Sequence, residues 1–170
     1  MCGIAAIVAL AGNSVPPALC ARFDAALAHR GPDASGLATY RRDGSLAPAD
    51  AAEVALLHRR LSIIDLDPRA NQPMASADGR YVLVFNGEIY NYVELREALV
   101  RDGHVFRTTS DSEVLIAAYA SWGEKALNRF TGMYAFVIHD RERRELFLAR
   151  DPFGIKPLLW ARGSKADRRW

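Results

Sequence analysis

The chain has 170 residues, 50% of them apolar and 25% charged, the composition of one soluble domain large enough to close its own core. A formal net charge of +2 is too small to argue for a nucleic-acid or anionic-membrane partner, although arginine pairs stand at 41–42, 59–60, 143–144 and 168–169. Cys2 and Cys20 form neither a metal-spaced cluster nor a disulfide framework, which points to a reducing cytoplasm and to no metal.

Gly3 to Ala9 reads as a buried strand beginning almost at the terminus. The apolar run that starts at Ile4 has no Lys or Arg before it, and Gly12, Asn13, Pro16 and Pro17 interrupt it, which excludes a secretory signal and a membrane span. A proline-opened helix follows to about Ala28, with Leu19, Phe23, Ala26 and Leu27 at helical spacing and Cys20 as packing. His29-Arg30-Gly31-Pro32-Asp33 cannot continue a helix and is predicted as a loop. Strands are expected at 36–40 and 54–63 around a polar Arg41-Arg42-Asp43-Gly44 hairpin. Asp65 and Asp67 suggest a calcium loop, but Ala70 and Ser76 stand where such a loop needs Gly and Glu.

Tyr81 to Phe85 is an apolar strand predicted to stop at Asn86-Gly87, a pair suited to positive φ and hence to a hairpin turn. Two amphipathic helices are then expected, one from Asn91 with Glu94 to Gly103, the other from Ser110 with Glu113 to Gly123. Met133–Ile138 and Glu145–Ala149 form a strand pair around a charged turn at 140–144, and the first is apolar on both faces, so both faces need covering. The pattern favours an α+β arrangement of two packed sheets flanked by helices.

Chemistry enters at the second residue. A small residue after Met1 allows aminopeptidase removal of the methionine, leaving a cysteine that carries both a thiol and a free α-amine. With an ordinary pKa of about 7.7–8.0, that amine is able to take the thiol proton near neutrality. Read alone, Cys2 is equally a small buried residue on a first strand, Asn86-Gly87 a hairpin turn, and Asp111 a carboxylate favoured in the first turn of a helix. His29 and His58 are read as structural members of their loops, since the terminal amine already supplies a base.

Seven blocks then change the reading: Met1-Cys2-Gly3-Ile4, His29 to Asp33, His58-Arg59-Arg60-Leu61-Ser62-Ile63-Ile64-Asp65, Gln72-Pro73-Met74, Phe85-Asn86-Gly87-Glu88-Ile89-Tyr90-Asn91, Ser110 to Glu113, and Arg150 to Leu158. In this order they resemble the class II glutamine amidotransferase domain of asparagine synthetases, over Met1 to about Leu158. The sugar-phosphate and purine-pathway amidotransferases differ around the arginine block. The resemblance implies a four-layer αββα N-terminal-nucleophile hydrolase fold with its C-terminal part missing, a glutaminase domain over 1–160 and an atypical basic tail over 161–170. It implies Cys2 as nucleophile, Asn86 and Gly87 as oxyanion hole, and a glutamine site of Arg60, Leu61, Ser62, Ile63, Ile64, Asn86, Gly87, Glu88 and Asp111, with Arg60 on the α-carboxylate and Asp111 on the α-ammonium.

The activity so implied is hydrolysis of L-glutamine to glutamate and ammonia, for ATP-dependent asparagine synthesis by a synthetase domain that this sequence does not contain. Neither a Ser-Gly-Gly pyrophosphate loop nor a P-loop is present, so ATP and Mg are expected only in that other domain or chain, and no cofactor here. A second copy of the chain is another expected partner. Two alternatives are an amidotransferase serving a different carboxylate acceptor, and a truncated, catalytically silent fragment or interaction module.

Overall fold

The structure, a computed structural model, describes residues 1–10 and 12–163, so the basic tail expected over 161–170 lies outside the described residues from 164 onward. Among the described residues, seven strands and three α-helices follow in chain order: β1 (Gly3–Val8), α1 (Pro17–Leu27), β2 (Ala34–Tyr40), β3 (Val54–Arg60), β4 (Met74–Ala75), β5 (Tyr81–Ile89), α2 (Tyr92–Arg101), α3 (Asp111–Trp122), β6 (Gly132–Asp140) and β7 (Glu145–Arg150). They form two antiparallel sheets, one ordered β1-β3-β2 and the other β4-β5-β6-β7.

Side-chain alternation builds the layers. Along β3, Val54 and Leu56 point between the sheets, where they meet Ile4 and Ala6 of β1, Tyr40 of β2, Val82 and Val84 of β5, and Val137 of β6. The intervening Ala55 and Leu57 point outward and pack with Cys20 of α1, Val15 and Ala52. On the other sheet, Leu83, Phe85 and Ile89 of β5 and Tyr134, Phe136 and Ile138 of β6 face away from the sandwich and are covered by Leu95 and Leu99 of α2 and by Val114, Leu115 and Ala118 of α3. The predicted double-sided burial of the β6 strand is therefore met by a sheet on one side and helices on the other.

Polar braces hold the layers in register. Arg59 of β3 forms an ion pair with Asp24 of α1, Nε to Oδ1 at 2.7 Å, and Ser35 of β2 donates to the same carboxylate at 2.7 Å. At the far end of the sandwich Arg141 donates to the carbonyls of Gly44 (2.8 Å) and Gly79 (2.7 Å), joining a turn of each sheet, and lies over the Tyr40 ring. Gly44 has φ 86 in the hairpin at 41–44, and a Cβ there would stand 2.1 Å from the Arg141 carbonyl oxygen, so both conformation and space require glycine.

Several expectations are corrected. Strand β3 ends at Arg60, not at residue 63; residues 61–64 leave the ladder because the strand edge there opens onto a cavity. Phe23, read as part of the buried face of α1, is 41% exposed, while Cys20 is buried, because the helix meets β3 through the Cys20–Asp24–Leu27 side. Helix α3 is not amphipathic: Asp111 to Ile116 and Ala118 are all buried, since α2, β5 and the 3-10 turn Gly123–Arg129 enclose it. The capping box expected at Asn91 does not close. That side chain instead donates to the Arg129 carbonyl at 2.9 Å and accepts from the Thr131 N–H at 2.9 Å, anchoring the entrance to β6. At Ser110 half of the box forms. Its Oγ accepts from the Glu113 N–H at 3.2 Å, while the Glu113 carboxylate takes the N–H groups of Arg107 (3.0 Å) and Thr108 (2.7 Å), an arrangement that stabilises a helix start by about 1 kcal/mol. His58, inside the expected strand, is 1% exposed on β3 and takes a structural role across the sandwich: its Nε2 donates to the Phe85 carbonyl of the opposite sheet at 3.1 Å. Burial pulls its pKa down to about 4, so the ring is a neutral cross-brace.

Candidate active site

The same alternation that builds the core places the site. Ile4 and Ala6 point between the sheets, so Cys2, two residues earlier, does too; Val54, Leu56 and His58 continue to Arg60, and Val82 and Val84 to Asn86. The pairing of Gly3 with Arg59 sets Cys2 level with Arg60. Three inward positions from three strands thus converge at one end of the sandwich, around a cavity of about 120 Å³.

The Cys2 thiol is half-buried. Its Sγ accepts from the Leu61 N–H at 3.4 Å and lies 3.8 Å from the Leu61 carbonyl, while the Cys2 carbonyl accepts from Arg30 Nε at 3.1 Å. The loop carrying Arg30 is itself locked. A Cβ at Gly31 would stand 2.3 Å from the Arg59 carbonyl carbon, the Asp33 N–H donates to the Arg60 carbonyl at 3.0 Å, and the Asp33 carboxylate accepts from the Ser62 N–H at 2.8 Å.

Asn86 and Gly87 do not form a turn; β5 runs through them to Ile89, paired with β6. A Cβ at Gly87 would stand 2.3 Å from the Met133 carbonyl oxygen and 2.7 Å from Tyr134 Cα, so glycine serves close strand approach rather than positive φ. The strand geometry then exposes a donor. Beyond Leu83, β4 no longer pairs with β5, and the N–H groups of residues 85, 87 and 89 point to that open edge. The Phe85 N–H is taken by Gln72 Oε1 at 2.6 Å and the Ile89 N–H by Asp111 Oδ2 at 3.1 Å. Between them the Gly87 N–H faces the cavity, beside the Asn86 carboxamide, which is 5% exposed and which no side chain or carbonyl among the described residues holds. A carboxamide and an amide N–H on one wall opposite a thiol are what stabilise an oxyanion formed by attack of that thiol.

The charged groups of the cavity are Arg60, Glu88, Asp111 and Lys156. Arg60, read without the resemblance as a solvated charge, is 6% exposed. Its NH1 donates to the Asp67 carbonyl (3.2 Å) and Asn71 Oδ1 (2.7 Å), and its NH2 to the carbonyls of Ile64 (3.2 Å) and Asp65. Both terminal nitrogens are thereby committed to the loop at 64–71, which carries the cavity wall. Asp65, at φ 54, and Asp67 serve the same loop: Asp65 accepts from Asp67 N and Thr109 N, Asp67 from Arg69 N. Asp111, 5% exposed at the first position of α3, has its pKa pushed up to about 6 by burial, with Glu88 adding to the rise and the N–H groups of Ile89 and Ser112 opposing it.

Of the residues singled out in the sequence, Cys2, Arg60, Leu61, Ile63, Ile64, Asn86, Gly87, Glu88 and Asp111 line this one cavity; Ser62 does not, its N–H being turned to Asp33. Gln72, Ser112, Met133 and Lys156 are among the further wall residues that had not been assigned to it. Gln72 bridges β5 and α3, with Nε2 donating to Ser112 Oγ at 3.0 Å, and it stood in one of the seven blocks, as did Ser112 and Lys156; Met133 carried no local signal.

Comparison with known proteins agrees with this geometry. The glutamine amidotransferase domain family matches residues 1–168. A putative glutamine-hydrolysing asparagine synthetase of Mycobacterium tuberculosis is 45% identical over 175 aligned positions, which take in 96% of this chain and 26% of that protein. Asparagine synthetase 1 of Bacillus subtilis is 41% identical over 163 positions, covering 94% of this chain and 24% of the relative. The chain thus spans about a quarter of the length of these curated relatives. Among solved structures, the glutamine phosphoribosylpyrophosphate amidotransferase of B. subtilis superposes with a TM-score of 0.73 at 22% identity, over 91% of this chain and 38% of that one. This likeness shows the expected four-layer N-terminal-nucleophile hydrolase fold. With a sheet pair, a cavity and 168 positions of sequence all agreeing, the chain belongs to the glutamine amidotransferase domain family.

Proposed function

We propose that the chain hydrolyses L-glutamine to glutamate and ammonia through a thioester on Cys2. With Met1 removed, the α-amine of Cys2 accepts the thiol proton, Sγ attacks the side-chain carbonyl carbon of glutamine, and the oxyanion forms against the Asn86 carboxamide and the Gly87 N–H. The tetrahedral intermediate collapses by breaking the C–N bond, the proton passing from the amine to the departing ammonia. Water then cleaves the thioester and restores the thiol. Asp111 receives the substrate α-ammonium and Arg60 attracts the α-carboxylate while holding the loop of Leu61 to Ile64 in place. The observation that carries this reading is the Gly87 N–H left open between two neighbours already capped by Gln72 and Asp111.

The ammonia then serves ATP-dependent conversion of aspartate to asparagine in a synthetase domain or separate synthetase chain, as the names of the relatives suggest. ATP and Mg belong to that part: the helix start on the cavity, that of α3, carries Asp111 and Glu113, which repel phosphate.

The test is intact mass before and after treatment with a diazo-oxo-norleucine. Loss of the Met1 mass followed by a single adduct mapped to Cys2 is the expected result; retained Met1, or no adduct on a folded chain, rejects the reading and favours a catalytically silent fragment.

Asp111 gives the site a pH dependence. Its carboxyl is held at about 6 rather than the ordinary 3.8, so the folded chain binds this proton more tightly than the unfolded one. Its ionised form therefore costs stability above pH about 6, and that stability returns as pH falls toward 4. Glutamine binding has the opposite sign, because only the carboxylate attracts an ammonium. The KM for glutamine is expected to rise as pH falls through about 6, and Asp111→Asn to show a high, pH-independent KM over that interval. A wild-type KM that stays constant down to pH 5 removes Asp111 from the ammonium site.

A further inference from the structure

Lys156 is the cation of the cavity to which the reading above gives no work. It lies just beyond β7, is 5% exposed, and its Nζ stands 3.1 Å from Met1 Sδ. Among the described residues no carboxylate forms an ion pair with it; the adjacent Asp151 carboxylate is occupied by the N–H groups of Tyr134 (3.2 Å), Ile155 (2.9 Å) and Lys156 itself (3.0 Å). That turn fixes where the lysine stem leaves the backbone. A buried ammonium without a counter-charge is costly, and here it is aimed at the residue whose removal creates the new N-terminus.

We propose that Lys156 is a positioning residue for charge at the nucleophile: its ammonium, set beside the chain start, holds the α-amine of the processed Cys2 in its neutral, proton-accepting form. A cation close to an amine disfavours a second positive charge, and it also favours the thiolate that the amine generates. The other charges around this terminus come from four elements. Arg30, donating to the Cys2 carbonyl, acts in the same direction as Lys156, and Arg60 has its terminal N–H groups turned to the loop at 64–71. Glu88 of β5 and Asp111 of α3 oppose them, but Asp111 is bonded to the Ile89 N–H, and Met1 itself touches Lys156. The inference rests on the reading of Cys2 as an N-terminal nucleophile and goes beyond it in naming what keeps the base unprotonated.

The test follows the Cys2 Cα and Cβ resonances with pH in a Met1-free chain labelled with 13C-cysteine, Cys20 being assigned through Cys20→Ser. The α-amine midpoint is expected below its ordinary range of about 7.7–8.0. Lys156→Met is expected to raise it by about one pH unit and Lys156→Arg to leave it low. The acid limb of kcat/KM for glutamine shifts in parallel. An ordinary midpoint in the unsubstituted chain, or one that Lys156→Met leaves unmoved, overturns the inference; if Lys156→Met does not fold, the unsubstituted midpoint decides by itself. A lowered amine midpoint without glutamine turnover leaves the inference standing and removes the glutaminase reading. Turnover with an ordinary midpoint does the reverse, and a chain that retains Met1 overturns both.

Discussion

Replacing Cys2 with alanine is expected to lower glutamine turnover by about 10⁴-fold or more, with glutamine still bound at close to its wild-type Kd. The asymmetry follows from where the contacts come from. The proposed attacking atom belongs to the residue just before β1, whereas the groups proposed to attract the two ends of glutamine belong to α3, to β3 and to the loop after β3. Loss of Sγ removes two long contacts to the Leu61 backbone, at 3.4 and 3.8 Å, so the thermal midpoint should change little. Steady-state ammonia release and calorimetric glutamine binding on the Met1-free variant together read both halves. Appreciable turnover would take Cys2 out of the mechanism, and loss of binding together with turnover would make it part of the fold of the site.

Asn86→Ala is expected to reduce kcat by about 10²–10³-fold, or about 3–4 kcal/mol of barrier, while KM for glutamine changes little. The carboxamide has no partner among the described residues to lose, so the effect should appear in the rate and not in stability. The Gly87 N–H stays in place, because the backbone of β5 is held by β6 on one side and by Gln72 and Asp111 on the other. That remaining donor explains why the loss should be smaller than at Cys2. A rise in KM with kcat unaltered would instead make Asn86 a ground-state contact to glutamine.

Much of the fold was legible in local pattern. Unbroken apolar runs in Val54–Leu57 and Val82–Phe85 mark strands, and the two-sided β6 strand demanded a covering layer on each side, which the second sheet and the helices supply. Ser110 with Glu113 marked the start of α3 within a residue. The site was legible in a different way: of the residues the family resemblance named for it, all but Ser62 line one cavity, and the inward parity of β1, β3 and β5 brings Cys2, Arg60 and Asn86 together there.

Where a neighbouring element overrides local preference, the sequence was silent or misleading. Asn86-Gly87 has the chemistry of a hairpin turn, yet it is extended, because Met133 and Tyr134 of β6 pass so close that a Cβ has no room at Gly87. Asn91 has the chemistry of a cap, yet Arg129 and Thr131, some forty residues on, capture its side chain. Arg60 looks like a surface charge and is buried because four acceptors of the loop at 64–71 converge on it. Lys156 meets Met1 across 155 residues of chain. Sequence by itself determined most of the strands and the residue types at the cavity, since these depend on periodicity and chemistry within a few residues. Tertiary structure decided which donors stay open, which charges are already paired and which cation meets the chain start, because each depends on what a distant segment leaves unoccupied.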